Sequence, residues 1–311
     1  MPRQIQSRSL VSMKDLSPDE LRLVLDTADA VKRKPGEYRD RFAGKTLAMI
    51  FQKPSLRTRV SFEAGMTQMG GHAIYLAPTD ISLGQRETTE DIALVLSRFV
   101  DLIMARTFGH DIVEDLAEHA TVPVINGLSD REHPCQILAD FQTIRERKGS
   151  LEGVKFVYLG DGNNVAHSLM LGGALAGMNV TIVTPPGYEP NKEVFADAEA
   201  MASKSGSYVR TTTDVVGAAK GADVIYTDVW ASMGQEADAA NRRSTFKPYQ
   251  VNANILSLAA PDCTVLHCLP AHYDEEITYD VTRTKHSAIF DQAENRLHAQ
   301  KALMLLLTGV A

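Results

Sequence analysis

Cysteine is scarce in this chain: three residues, Cys135, Cys263 and Cys268, among 311. An odd, sparse set cannot build a disulfide framework, so reduced thiols and a cytoplasmic setting are expected. Basic charge is not in excess. The 32 Lys and Arg against 39 Asp and Glu leave a net charge of −7, and no segment concentrates the cations. A nucleic-acid tract is therefore excluded as a reading, and an anionic ligand would need a local basic pocket. Long apolar runs are missing as well. None approaches the roughly 20 residues that span a bilayer. The opening Met1-Pro2-Arg3-Gln4-Ile5-Gln6-Ser7 has no apolar core of a secretory signal. Neither a membrane partner nor a nucleic-acid partner is expected. Internal repeats and low-complexity stretches are also absent.

What is present is ordinary globular material, 44% hydrophobic and 23% charged, arranged as strand-like runs alternating with helical ones. That alternation predicts an α/β fold with mostly parallel sheets flanked by helices. Strands are expected at 45–51, 72–76, 101–105 and 121–125, and helices at 56–69, 88–99 and 133–148. Lys148-Gly149-Ser150 breaks the pattern, and a domain boundary is placed there. The cycle restarts with strands at 155–159, 179–183, 208–211, 224–226, 264–267 and 288–290, and a small-residue helix at 164–178. A last helix is expected from about Gln292 to Leu307. The unusual polar sequence falls just after predicted strands, where open α/β sheets bind ligands.

The first such stretch is Lys53-Pro54-Ser55-Leu56-Arg57-Thr58-Arg59. Ser55 is a good N-cap, and the free N–H groups of a helix N-terminus attract anions. Thr58 adds a hydroxyl, and Arg57 adds a fork of donors suited to phosphate oxygens. Alone, such a segment is more often a capped helix with two solvated arginines. Two further signals change the weighing: Arg106 after the third strand, and His133-Pro134-Cys135-Gln136 opening another helix.

This set, S-x-R-T-R with a downstream Arg and H-P-x-Q, resembles the carbamoyl phosphate signature of the aspartate and ornithine carbamoyltransferase family, over nearly the full chain in order and spacing. The resemblance implies that Ser55, Leu56, Arg57, Thr58 and Arg106 bind the phosphate. Arg57, Thr58, His133 and Gln136 would surround the carbamoyl group, and Arg296 in Asp291-Gln292-Ala293-Glu294-Asn295-Arg296 would be a closing contact. Asp291, Glu294 and Asn295 are read as caps of that last helix. Leu56 stands where the ornithine branch more often has Thr, a position that contributes mainly backbone. The resemblance also implies a homotrimer, or a multiple of trimers, in which a loop Gln or Lys reaches a neighbouring subunit's site. Here the loop reads Asp80-Ile81-Ser82-Leu83-Gly84-Gln85-Arg86-Glu87, with Ser82 at the usual Gln position. Whether Ser82, Gln85 or Arg86 serves is left open.

Three motifs concern the acceptor. Gly160-Asp161-Gly162-Asn163-Asn164 follows a strand and invites a dinucleotide reading. The third glycine of that fingerprint is replaced by Val165, and the next strand ends in Thr184-Pro185 with no acidic group for a ribose. No nicotinamide, and no other cofactor, is expected. The ornithine branch carries this stretch, which implies that Asn164 contacts the substrate carboxylate. In Asp228-Val229-Trp230-Ala231-Ser232-Met233-Gly234, an aspartate at a strand end can pair with an α-ammonium. The Ser-Met-Gly run resembles that branch's substrate loop, with Ser232 and Met233 on the α-carboxylate. Trp230 by itself reads as core or cover. His267-Cys268-Leu269-Pro270-Ala271-His272 suggests zinc, but no ligand spacing completes a set, and no metal is expected. A nucleophilic Cys–His pair is a further reading. H-C-L-P is instead the ornithine-branch signature, which implies Cys268 beside the reacting amine and the Leu269 carbonyl on the carbamoyl NH₂.

The implied whole is a two-domain enzyme. Residues 1–149 with the C-terminal helix 292–311 would bind carbamoyl phosphate, and 150–291 would bind L-ornithine, giving citrulline and phosphate. Arg57, Arg106, His133 and Cys268 are the expected catalytic groups. The alternatives are a carbamoyltransferase for putrescine or acetylornithine, a non-catalytic ligand-binding relative, and a metal-dependent hydrolase.

Overall fold

The computed structural model describes residues 5–81, 86–231 and 238–311. The chain forms two compact units, Met1–Gln142 with Glu294–Ala311, and Thr143–Ala293.

The first unit holds a four-stranded, wholly parallel sheet: β1 (Thr46–Phe51), β2 (His72–Leu76), β3 (Leu102–Arg106) and β4 (Val124–Leu128), in the order β2-β1-β3-β4. Its central strands read Leu47-Ala48-Met49-Ile50-Phe51 and Leu102-Ile103-Met104-Ala105, buried throughout as a sheet covered on both faces requires. The helices are α1 (Pro18–Arg33), α2 (Leu56–Gln68), α3 (Pro78–Ile81), α4 (Thr89–Leu96), α5 (His110–His119) and the start of α6 (Pro134–Lys148). α1 lies in a stretch that periodicity alone had left unread. It opens on a capping box between Ser17 and Glu20 and buries Leu21, Val24, Leu25, Ala28 and Val31 along one face. On one side of the sheet Ala48, Ile50, Ile103, Ala105 and Val124 pack with Ile92 of α4 and with Val113 and Leu116 of α5.

The second unit has five parallel strands in the order β7-β6-β5-β8-β9: β5 (Lys155–Leu159), β6 (Asn179–Val183), β7 (Val209–Thr212), β8 (Val224–Thr227) and β9 (Thr264–His267). Its helices are α7 (Asn164–Leu175), α8 (Lys192–Ser205), α9 (Val215–Ala219), α10 (Ala239–Phe246) and α11 (Ala253–Leu256). Leu159, Val183, Ile225 and Val265 join Ala219, Val251 and Ile255 in its core.

Two expected elements need correction. The strand expected at 121–125 begins at Val124, because Pro123 has no N–H for the ladder. The strand expected at 288–290 is the first turn of α12 (Ile289–Thr308). Only the single bridge Val265↔Ser287 precedes it, and Gln292 N–H already donates to the Ala288 carbonyl in helical fashion. α12 returns to the first unit, as the resemblance implied. Lys301 donates to Gln68 of α2, Asn295 accepts from Lys32 of α1 at 2.8 Å, and Arg296 reaches Gln136 of α6. Gly65 of α2 makes room for it: a Cβ there would meet Lys301 Cγ and Met304 Cε at 3.4 Å. No described helix is long and apolar enough to cross a membrane.

Each sheet reverses its strand order once, between β1 and β3 and between β5 and β8. At such a point the following connections leave in opposite directions and open a crevice at the carboxyl ends. Ser55–Thr58 and Arg106 lie at the first reversal. Gly160–Asn164 and Asp228 lie at the second, with Cys268 one strand further along.

Candidate active site

At the first reversal, Ser55 is the N-cap of α2 and accepts from the Thr58 N–H at 3.3 Å. Its hydroxyl donates to Thr58 Oγ1 at 3.1 Å, which also accepts from Arg296 Nη2 at 3.4 Å. Arg296 Nη1 donates to Gln136 Oε1 at 2.7 Å, and Gln136 Nε2 donates to Asp140 at 2.8 Å. The two Arg296 bonds join α12 to α6 and to α2 across 160 and 238 positions of the chain. Thr58, Arg106, His133, Gln136 and Arg296 are all buried, whereas Leu56 is exposed. Arg59 turns away: it pairs with Glu63 at 3.2 Å and stacks over the Tyr75 ring at 4.0 Å.

His133 reports the field at this point. Burial holds its imidazole well below the usual histidine range, and the guanidinium groups of Arg296, Arg106 and Arg57 push it further down. The ring is therefore neutral at physiological pH and can donate from one nitrogen. Three arginines from three separate elements thus bear on one buried neutral ring. Lys53, which sequence reading had not singled out, feels burial first and then Arg106, and its ammonium is also depressed. Ser82 and Gln85 lie outside the described residues. Arg86 is described and exposed, 4.0 Å from Glu87.

At the second reversal, Asp228 at the end of β8 accepts from three donors: Cys268 Sγ at 2.9 Å, the Val229 N–H at 2.8 Å and Asn163 Nδ2 at 3.0 Å. Asn163, which the sequence motif contains, makes this last bond. It is also the N-cap of α7, accepting from Val165 and Ala166 N–H, while Asn164 is the first helical residue beside it. Its N-cap position was the available signal, since Asn before a helical run is a capping residue. Gly162 lets the backbone come within 2.9 Å of the Tyr188 carbonyl; a Cβ there would stand 2.3 Å from Pro190 N. Asp161 is buried against Arg242, Nη1 to Oδ2 2.8 Å, and the same nitrogen donates to the Trp230 carbonyl at 2.8 Å. Burial pushes the Asp161 carboxyl up, and Arg242 opposes that rise. Trp230 is buried and stacked on Phe246, as a core residue would be. Ser232 and Met233 lie outside the described residues.

Cys268 follows β9 and is partly exposed, whereas Cys135 and Cys263 are buried and their thiols are pushed up to about 12 by burial. Asp228, His267 and Cys268 offer ligand atoms within 4.8 Å of one another. Their donors and acceptors are already committed. The thiol donates to Asp228, His267 Nδ1 accepts from the Leu269 N–H at 2.8 Å, and Nε2 lies 3.0 Å from Glu276 Oε1. The same commitment removes His267 as a general base for the thiol, so this is not the geometry of a Cys–His nucleophile. His272, Glu275 and Glu276 form a second such group, in which Glu275 pairs with Arg243 at 2.9 Å. Asp291 lies in the first turn of α12 and pairs with Arg147 at 2.6 Å, and Asn295 lies inside the helix bonded to Lys32.

One unit carries a buried cationic cluster at its strand ends, and the other carries an Asp–Cys–Asn cluster at its own, the polar strand-end sites of a ligand-binding α/β protein. Residues 8–146 match the family description "Aspartate/ornithine carbamoyltransferase, carbamoyl-P binding domain", and residues 152–307 match "Aspartate/ornithine carbamoyltransferase, Asp/Orn binding domain". The chain belongs to the aspartate/ornithine carbamoyltransferase family. It is 55% identical to the ornithine carbamoyltransferase of Pyrococcus abyssi over 307 residues, 98% of this chain and 97% of that one. It is 54% identical to that of Bacillus subtilis over 300 residues, 96% and 93% of the two chains. The solved ornithine carbamoyltransferase of Pyrococcus furiosus superposes with a TM-score of 0.94 at 55% identity, covering 97% of each chain.

Proposed function

We propose that this chain transfers the carbamoyl group of carbamoyl phosphate to the δ-amine of L-ornithine, giving L-citrulline and phosphate. The observation that carries the reading is the buried, hydrogen-bonded set of Thr58, Gln136 and Arg296 from three helices, beside which the charges of Arg57, Arg106 and Arg296 bear on His133. Such a locus favours a compact anion, and bidentate guanidinium donors suit phosphate oxygens. The unit described as binding Asp or Orn supplies the acceptor. In it, Asp228 suits an α-ammonium, and Asp228, Cys268 and Asn163 form one cluster. The relatives named ornithine carbamoyltransferase support ornithine over aspartate.

In this reading Ser55, Leu56, Arg57, Thr58 and Arg106 hold the phosphate through helix N–H groups, the threonine hydroxyl and guanidinium forks, and Arg296 closes on it. His133 donates to the carbamoyl oxygen, Gln136 orients the carbamoyl group, and the Leu269 carbonyl accepts from its NH₂. Asn164, Ser232 and Met233 take the ornithine carboxylate, and Asp228 its α-ammonium. The δ-amine attacks the carbonyl carbon, the C–O bond to phosphate breaks, phosphate leaves with the electron pair, and the new C–N nitrogen gives its surplus proton to that phosphate. Orientation and donors aimed at the developing oxyanion supply the catalysis. The attacking amine must first lose a proton; its solution pKa resembles lysine's, about 10.4, so turnover rises with pH while chemistry is rate-limiting. Cys268, Asp228 and the substrate phosphate stand as the acceptors of that proton.

The domain assignment carried by this reading is 1–149 with 292–311 for carbamoyl phosphate and 150–291 for ornithine. The reading also includes a cytoplasmic homotrimer, or a multiple of it, with residue 82, 85 or 86 serving a neighbouring subunit. Exposed Val60 on α2, with Leu94 and Val95 on α4, supports subunit contacts on the first unit. The test is citrulline formation from carbamoyl phosphate with ornithine, putrescine or acetylornithine as acceptor. Ornithine is expected to be strongly preferred, and preference for either other amine overturns the assignment. Light scattering should return a multiple of three 34.0-kDa chains; a monomer overturns the assembly.

A further inference from the structure

We infer that Glu276 is a positioning residue: its carboxylate locks the His267 ring in one tautomer and thereby fixes the Cys268–Leu269 turn on which the acceptor cluster is built. The inference rests on the reaction proposed above and assigns a role to two residues that the reaction itself leaves unused.

His267 is the last residue of β9, and its side chain is wholly shielded from solvent, as is that of Glu276. The Leu269 N–H donates to His267 Nδ1 at 2.8 Å. A backbone N–H can only donate, so Nδ1 carries no proton, and the ring is neutral with its hydrogen on Nε2. That hydrogen faces Glu276 Oε1 at 3.0 Å. In the other tautomer Nδ1–H would meet Leu269 N–H donor against donor, and a buried carboxylate would lose its partner. The same Oε1 accepts from the His272 N–H at 2.6 Å, so one oxygen ties the ring to the far side of the loop. His267 is further held through its own N–H, which donates to Gln292 Oε1 at 2.9 Å.

What these bonds hold is an uncommon conformation. Leu269 has φ +58°, a left-handed region that non-glycine residues enter only when their surroundings impose it. The turn sets where the Leu269 carbonyl points. It also sets the Cys268 thiol, 2.9 Å from Asp228 Oδ1. Glu276 Oε2 is buried and makes no hydrogen bond among the described residues. One oxygen, Oε1, thus serves both the ring and the far side of the loop.

The experiment compares Glu276→Ala and Glu276→Gln in the full-length protein by turnover, by thermal unfolding and by the rate at which iodoacetamide alkylates Cys268. The amide oxygen introduced by E276Q can accept from the same two N–H groups, so this variant should keep kcat within about threefold. E276A should lower kcat about 10- to 100-fold, the scale of a misplaced reacting group. The Cys268 alkylation rate should shift in E276A and not in E276Q. That readout needs no turnover. If the wild type makes no citrulline, the functional reading falls while the alkylation rates still judge the turn. Should E276A not fold, His267→Gln, which keeps an N–H toward Glu276 but offers Leu269 no acceptor at Nδ1, should lose turnover in its place. The proposal is overturned if E276A loses only thermal stability while keeping wild-type kcat and alkylation. Damage in E276Q equal to that in E276A, or wild-type turnover in H267Q, also overturns it.

Discussion

Replacing Arg57 with glutamine separates binding chemistry from folding. Arg57 is the second residue of α2, only half-buried, and one of three guanidinium groups bearing on His133. Two charge-assisted hydrogen bonds to a phosphate, at about 1.5–3 kcal/mol each, would be lost. Water in the vacated space recovers part of this, leaving about 3–4 kcal/mol. At about 1.4 kcal/mol per decade, kcat/KM for carbamoyl phosphate should fall by two to three orders of magnitude. Stability should move little, and upward if at all. A cation in the first turn opposes the helix dipole by about 0.3–1 kcal/mol, and glutamine keeps the helix propensity that glycine would forfeit. The His133 imidazole should titrate somewhat higher yet remain below the ordinary range, because burial, its largest cause, is untouched. Citrulline formation at varied carbamoyl phosphate, with thermal unfolding of the same preparation, decides the matter. A kcat/KM within about threefold of wild type at an unchanged Tm would refute the reasoning.

The remaining predictions concern the second unit and the thiols. Gly162→Ala places a Cβ 2.3–2.6 Å from backbone atoms of residues 188–190, which have no flexible end to yield, so a loss of about 1–3 kcal/mol is expected by calorimetry; an unshifted Tm contradicts it. Arg242→Met leaves Asp161 buried without its cation, at a cost of about 3–5 kcal/mol near neutral pH. Asp161 is already raised in the folded state and should rise further. Its protonated form is then the favoured folded form, so the deficit shrinks as pH falls below that raised value and grows as pH climbs through it. Urea unfolding at pH 5 and pH 8 should show the larger deficit at pH 8, and the reverse order would be decisive against this account. Iodoacetamide at pH 8 should modify Cys268 alone in the folded protein and all three thiols in denaturant, since burial holds Cys135 and Cys263 near 12; equal labelling of either in the native state, read by mass spectrometry, disproves it.

The sequence by itself determined the fold class. Strand-length apolar runs such as Leu47–Phe51 and Phe156–Leu159 alternate with capped helical stretches, and runs buried on both faces imply parallel sheets. It also brought Ser55, Thr58 and His133 to notice, because a capped helix after a strand is a local pattern with a local physical meaning. Only the tertiary structure decided which of these groups meet. Arg296 reaches Thr58 from 238 positions away, and nothing in its own neighbourhood says so. Arg57 and Arg59 look alike in the chain; in the fold the charge of one bears on His133, while the other pairs with Glu63 and stacks over Tyr75. The same holds for Asn163 as a partner of Asp228, and for Glu276, which has no motif and acquires a role only by being packed against His267. Local preference is written over a few residues, whereas a charged cluster or a fixed tautomer is a property of distant groups brought within bonding distance.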